Sequence, residues 1–163
     1  MAELAIFFKS FIREYPLFMN VKSIQNNLKD VTWRLYIADD SPEITHKKQL
    51  FYDSLEKQGH KVLILPFNTG ASKSRNLMLD ALENESFILR MDDDHEILPE
   101  TNIRSMITLL ESIDHLGGCV GLERQFGWGK GVFPGMIGVQ QGFMKYRDGV
   151  LEKDLDHPQK FTY

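Results

Sequence analysis

At 163 residues, 42% hydrophobic and 26% charged, the chain has the size and balance of one ordinary globular domain that can bury a core of its own. A formal charge of -4 argues against the basic face of a generic nucleic-acid binder, but it leaves room for a phosphorylated small molecule held locally. The single cysteine, Cys119, rules out an internal disulfide, and between Gly118 and Val120 it reads as a small core residue at a strand start.

In chain order, Leu4 to Phe8 predicts a first strand. Pro16 to Leu28 carries Leu17, Phe18, Val21, Ile24 and Leu28 at the spacing of one helix face. Trp33 to Ala38 predicts a second strand that runs into Asp39-Asp40-Ser41-Pro42. A helix is expected from about Thr45 to Gln58, stopped by Gly59. Lys61 to Phe67 predicts a third strand and Asn68-Thr69-Gly70 a turn, after which Ser72 or a near neighbour is expected to cap a helix to about Asn84. Phe87 to Met91 predicts a fourth strand, ending at Asp92-Asp93-Asp94. Pro99 is expected to open a helix to about His115, and Cys119 to Leu122 to form a fifth strand.

Strand starts near 33, 61 and 87 lie about 26 to 28 residues apart, close to the ~30-residue βαβ unit. The expected fold is therefore α/β: a mostly parallel, doubly wound sheet with helices on both faces. After Leu122 the character changes, with Gly127, Gly129, Gly131, Gly135, Gly138 and Gly142 in close succession. Arg147-Asp148-Gly149 reads as a hairpin turn between Phe143 to Tyr146 and Val150-Leu151. Residues 1–163 are read as a single domain, with an α/β part over 1–123 and a C-terminal antiparallel β segment and tail over 124–163. No apolar run approaches the ~20 residues that span a bilayer, and Glu3 and Lys9 around the first apolar stretch do not make a secretory leader. A cytoplasmic, reducing location is expected, compatible with membrane association through a longer parent protein.

Ligands of open α/β sheets bind beyond the carboxyl ends of the strands. Those ends are Lys9 to Glu14, Asp39-Asp40-Ser41, Asn68-Thr69-Gly70 and Asp92-Asp93-Asp94, two of them acidic. Adjacent carboxylates repel unless a cation or donors compensate, and hard divalent cations take one or two carboxylates together with phosphate oxygens. The aspartate triplet is either a metal and diphosphate site or a solvated loop that caps the next helix. Asp39-Asp40 is either an acceptor for a base or ribose or part of an Asp-Ser-Pro turn. Gly70 and the residues after it form a helix N-terminus suited to an anion, where Arg75 either meets a ligand or pairs an aspartate. His95 is a ligand, a base or merely an exposed loop residue, and Trp128 is a sugar platform or a core plug. Asp154, Asp156 and His157 in the tail have no assignable role.

Taken together, Phe11-Ile12-Arg13-Glu14, Leu35 to Ser41, Asn68-Thr69-Gly70, Ser74-Arg75-Asn76 and Phe87 to Asp94 with Ile97 and Pro99 resemble the inverting family 2 glycosyltransferases, which have the A-type nucleotide-diphospho-sugar transferase fold. The resemblance covers roughly residues 4 to 123. It implies a donor domain that binds a UDP-sugar through Mn2+ or Mg2+ and transfers the sugar to a carbohydrate or other hydroxyl acceptor with inversion. The alternative is a non-catalytic nucleotide-sugar-binding or scaffold domain of the same fold. It implies that Phe11, Arg13 and Asp39 or Asp40 lie around the base and ribose, that Asp92 or Asp93 contacts the nucleotide and that Asp94 binds the metal. Together with the strand-end reading, the expected nucleotide-sugar set is Phe11, Arg13, Asp39, Asp40, Asn68, Gly70, Arg75, Asp92 and Asp93, and the expected metal ligands are Asp94 and Asp92. The first loop lacks the family's frequent Pro-x-Tyr/Phe-Asn pattern, and no residue is assigned as catalytic base.

Overall fold

The computed structural model describes residues 2–119, 144–147 and 150–153. The chain divides into two compact units, residues 1–107 and 108–163.

In the first unit, strands β1 (Leu4–Ser10), β2 (Trp33–Asp39), β3 (Lys61–Ile64) and β4 (Phe87–Arg90) form one parallel sheet in the order β3-β2-β1-β4. Helices α1 (Tyr15–Asn27), α2 (His46–Lys57), α3 (Ala71–Asp80) and α4 (Ile103–Ser112) connect or follow the strands. The chain steps outward from β1 through β2 to β3, then returns to the other side of β1 to place β4. The switch point of this sheet is therefore the crevice beyond the carboxyl ends of β1 and β4.

Side chains alternate across the pleat and divide the core in two. Leu4, Ile6, Phe8, Leu35 and Ile37 pack on one face with Leu17, Val21 and Ile24 of α1, Tyr52 and Leu55 of α2, and Ile103 and Ile107 of α4. Ala5, Phe7, Tyr36 and Ala38 face the other way, against Met78 of α3. Helices thus cover both faces. Each fully buried Leu, Ile, Val or Phe contributes roughly 1.5–3 kcal/mol over its exposed state.

The second unit holds strands β5 (Met144–Arg147) and β6 (Val150–Lys153), paired antiparallel with Arg147 opposite Val150. Arg147 therefore belongs to the strand and not to the turn. The fifth strand expected from Cys119 starts on a residue that is half-buried and outside any strand, and its remainder lies outside the described residues, as do Trp128, the glycine-rich stretch and the tail.

One helix end and one helix start differ from the sequence expectation. The third helix is entered from Gly70, a near neighbour of Ser72, and it stops at Asp80, short of Asn84. Gly70 has φ 88°, a conformation that L side chains rarely adopt, so glycine is required for the entry. Pro99 does not open α4. It lies in a turn in which the Thr101 N–H donates to the Leu98 carbonyl, and α4 starts where Asn102 Oδ1 accepts the Ser105 N–H at 2.8 Å, a side-chain cap. The third strand ends at Ile64, before Pro66, which has no N–H for a ladder.

Candidate functional site

All four parallel strands deliver their carboxyl ends to one edge. Alternation decides what happens to the aspartate pair at the end of β2. Asp39 continues the row of Leu35 and Ile37 and points beneath α2, whereas Asp40 continues the row of Tyr36 and Ala38 toward the start of α3. Asp39 Oδ1 accepts from the Ser41 N–H and Oγ at 2.8 and 2.5 Å, and Oδ2 meets Tyr52 Oη and Lys48 Nζ, each at 2.5 Å. Asp39 is fully buried and Lys48 is 1% exposed. Burial pushes the Asp39 carboxyl up, but the donors from Lys48, Ser41 and Tyr52 outweigh it and hold the pKa below the ordinary 3.8. Burial, then the charge of Asp39, keeps Tyr52 protonated as a donor. Asp40 is also fully buried. Its Oδ1 makes an ion pair with Lys9 Nζ at 2.6 Å, off the direction of a hydrogen bond, and its Oδ2 accepts the Gly70 N–H at 3.0 Å.

The loop after β1 turns sharply. Ile12 has φ 62°, strained for a β-branched residue, and the Arg13 N–H returns to the Phe11 carbonyl at 2.6 Å. The Ile12 N–H donates to Ser41 Oγ at 2.7 Å, which ties this loop to the β2 end. Phe11 stacks on Phe67 with centroids 6.2 Å apart, and Lys9 Nζ lies 4.7 Å from the Phe11 ring centroid. Phe67 is 63% exposed, so its ring faces solvent at the sheet edge.

Beyond β4, the three aspartates lie in a tight turn. The His95 N–H donates to the Asp92 carbonyl, and the Asp92 N–H donates to His95 Nδ1, both at 3.2 Å. Asn20 of α1 anchors this turn through Nδ2 to the Asp92 carbonyl at 2.9 Å. The middle residue, Asp93, is the buried one, at 2% exposure. Burial raises its pKa; Arg13 opposes that shift and Asp94 adds to it. Arg13 spans the crevice, with Nη2 on Asp93 Oδ1 and Nη1 2.7 Å from Asp94 Oδ2. Asp93 Oδ2 has no hydrogen-bond partner among the described residues. Asp92 and Asp94 are exposed, and Arg90 lies 3.6 Å from Asp92.

The structure therefore brings Phe11, Arg13, Asp39, Asp40, Gly70, Asp92, Asp93 and Asp94 to one edge through a continuous set of contacts. Asn68 joins them through its backbone N–H to the Asp40 carbonyl at 3.1 Å, with its side chain exposed and φ 55°. Arg75 lies one turn into α3, half-buried, and makes no ion pair with an aspartate among the described residues.

A divalent cation asks for few protein ligands when phosphate oxygens and waters complete its shell. Among the described residues no three His, Cys, Asp or Glu side chains form a ready-made cluster. The triplet nonetheless fits such an ion. Asp92 and Asp94 present hard, exposed oxygens, and among the described residues the guanidinium groups paired with the three carboxylates are those of Arg13 and Arg90, which leaves a surplus of one negative charge over those pairs. No described helix is long and apolar enough to cross a membrane.

The sequence profile of glycosyl transferase family 2 matches residues 17–150, most of the chain. The chain belongs to glycosyl transferase family 2. Its fold is that of S. aureus TarS, whose crystal structure matches with TM-score 0.53 at 22% identity over 68% of this chain. TarS 1-349 in complex with UDP-GlcNAc gives TM-score 0.54 at 19% identity, and its complex with UDP gives 0.53 at 22%, each over 68% of this chain. This chain spans only 20% of the length of the TarS chain and 31% to 32% of the 1-349 chains. No curated protein matches it.

The sequence placed Lys9 at this edge, in the segment Lys9 to Glu14, but did not mark Lys48, Tyr52 or Phe67 as members of it. A signal existed for the first two: Ile44, Lys48, Phe51, Tyr52 and Leu55 share helical spacing, and a lysine in the middle of an otherwise apolar face implies a buried partner. Phe67 carried none, since nothing local distinguishes it from a strand residue.

Proposed function

We propose that this domain binds the diphosphate of a nucleotide-sugar, with a UDP-sugar as donor, in the crevice beyond β1 and β4, for transfer of the sugar to an acceptor hydroxyl with inversion. One observation carries this reading: in a family 2 domain, an open aspartate turn meets Arg13 across the switch point, in the same loop as Phe11, which stacks on the exposed Phe67. The UDP and UDP-GlcNAc complexes of TarS support uridine diphosphate as the first ligand to test.

On this reading Phe11 and Phe67 offer ring faces to the base, with Lys9 and Asp40 behind them. Asp39 acts from beneath, because its oxygens are already bound to Ser41, Tyr52 and Lys48. Asn68, Gly70 and Arg75 form the wall at the start of α3, where helix polarity and a guanidinium favour anionic oxygens. Asp92 and Asp93 lie toward the nucleotide, and Asp94 with Asp92 would hold Mn2+ or Mg2+. Such an ion, when bound, supplies Lewis-acid neutralisation of the charge growing on the departing diphosphate. Arg13 supplies further positive charge from the protein itself.

Calorimetry tests the reading. UDP is expected to bind only when Mn2+ or Mg2+ is present, and Asp94→Ala is expected to abolish that binding. Absence of any metal-dependent UDP binding would overturn it. Hydrolysis or transfer across a panel of UDP-sugars then separates a transferase from a domain that binds without turnover.

A further inference from the structure

Asp94, the carboxylate given above to the metal, already has a cation in the free protein. Arg13 Nη1 sits 2.7 Å from Asp94 Oδ2 while Nη2 holds Asp93 Oδ1. The two contacts differ in kind. The Asp93 side chain is 3% exposed, so its pairing with Arg13 is only weakly screened and costly to break. The side chains of Arg13 and Asp94 are 53% and 45% exposed, and water screens a pair of that sort. The guanidinium thus has a firm inner anchor and a releasable outer one. Its starting point is fixed as well, by the tight turn at Ile12 and the Ile12 N–H bond to Ser41 Oγ.

We infer that Arg13 is an exchangeable counter-cation: it occupies Asp94 in the nucleotide-free domain and releases it when a diphosphate arrives, so that divalent-cation binding is coupled to nucleotide binding. The inference rests on the donor-site reading above. A diphosphate carries more negative charge than one carboxylate, and its oxygens suit the guanidinium fork. It draws the outer amino group away while Asp93 keeps the inner one. Asp94 is then uncovered beside Asp92 and the phosphate oxygens, a hard oxygen set for a divalent ion. Without nucleotide, the same ion has to displace Arg13 itself. Linkage makes the coupling reciprocal: the ion tightens nucleotide by the factor that the nucleotide tightens the ion.

The test measures Mn2+ by the electron paramagnetic resonance signal of the free ion, with and without UDP, in the whole chain. Wild type is expected to bind Mn2+ weakly alone and about tenfold or more tightly with UDP, within the 5–150-fold range usual for such couplings. Arg13→Gln is expected to bind Mn2+ alone more tightly than wild type and to gain little from UDP. Because that variant leaves Asp93 buried without its partner, Arg13→Gln/Asp93→Asn is measured beside it and is expected to show the same gain. Mn2+ affinity that is unchanged or weaker in both variants, in a protein whose wild type binds Mn2+ with UDP, overturns the inference alone. Wild-type Mn2+ binding that UDP does not alter also overturns it. Wild type that binds no Mn2+ even with UDP removes the donor-site reading, and the inference falls with it.

Discussion

The ends of β2 and β4 carry the same kind of sequence, consecutive aspartates after an apolar strand, and the fold uses them in opposite ways. At β2 both carboxylates are fully buried and matched by two lysines, Lys48 under Asp39 and Lys9 beside Asp40, with Ser41, Tyr52 and the Gly70 amide as further donors. At β4 only Asp93 is buried, one of its oxygens has no hydrogen-bond partner among the described residues, and Asp92 and Asp94 face outward. One acidic end is a finished internal structure and the other keeps charge and coordination capacity to spare. The difference shows that an acidic strand end is a ligand site only to the extent that the protein leaves it incomplete.

The largest expected effect breaks the finished end. Lys48→Met removes the cation from a fully buried Asp39, and breaking such a pair costs about 3–5 kcal/mol. Urea unfolding is expected to show that loss in the free energy, whereas Asp94→Asn, at an exposed position, should stay within about 0.5 kcal/mol of wild type. Comparable losses in the two variants would erase the distinction between the strand ends.

A smaller effect sharpens the aromatic side of the open end. Phe67 is mostly solvent-exposed, so Phe67→Ala should leave unfolding almost unchanged. If its ring faces the base, UDP should bind more weakly by about 1 kcal/mol, roughly fivefold, the low end of base-aromatic stacking. Calorimetry with UDP and with inorganic pyrophosphate separates the two parts of the ligand: the variant should weaken UDP and spare pyrophosphate. Equal weakening of both would take Phe67 away from the base.

Much of this was legible in the sequence because period and punctuation are local. The alternation of apolar runs with helical spacing was enough for four parallel strands, and the switch-point rule pointed to the edge where Arg13 meets Asp93 and Asp94. What was not legible is nonlocal. The division of Asp39 and Asp40 between two faces depends on the phase of β2 in the sheet. The choice of Asp93 as the buried member of the triplet depends on Arg13, 80 residues away. The start of α4 depended on an unremarkable Asn102 acting as cap, while the more conspicuous Pro99 turned out to serve a turn.

The smallest effect concerns protons, and it contrasts the two ends by sign. The Asp39 pKa is lowered in the folded state, so its contribution to stability is present above the ordinary 3.8 and is lost as pH falls through the lower folded value. The Asp93 pKa is raised, chiefly by burial, so its contribution is present below 3.8 and is lost as pH rises through the higher folded value. Unfolding free energies measured from pH 7 down to pH 4 should therefore separate the variants. Over that range the deficit of Asp39→Asn should hold nearly constant, shrinking only in stronger acid. Asp93→Asn should lose ground against wild type as pH falls, because wild type gains from protonating Asp93 and the amide has nothing to protonate. Parallel pH profiles for Asp93→Asn and wild type would mean that Arg13 compensates the buried charge in full, and that the β4 end is as finished as the β2 end.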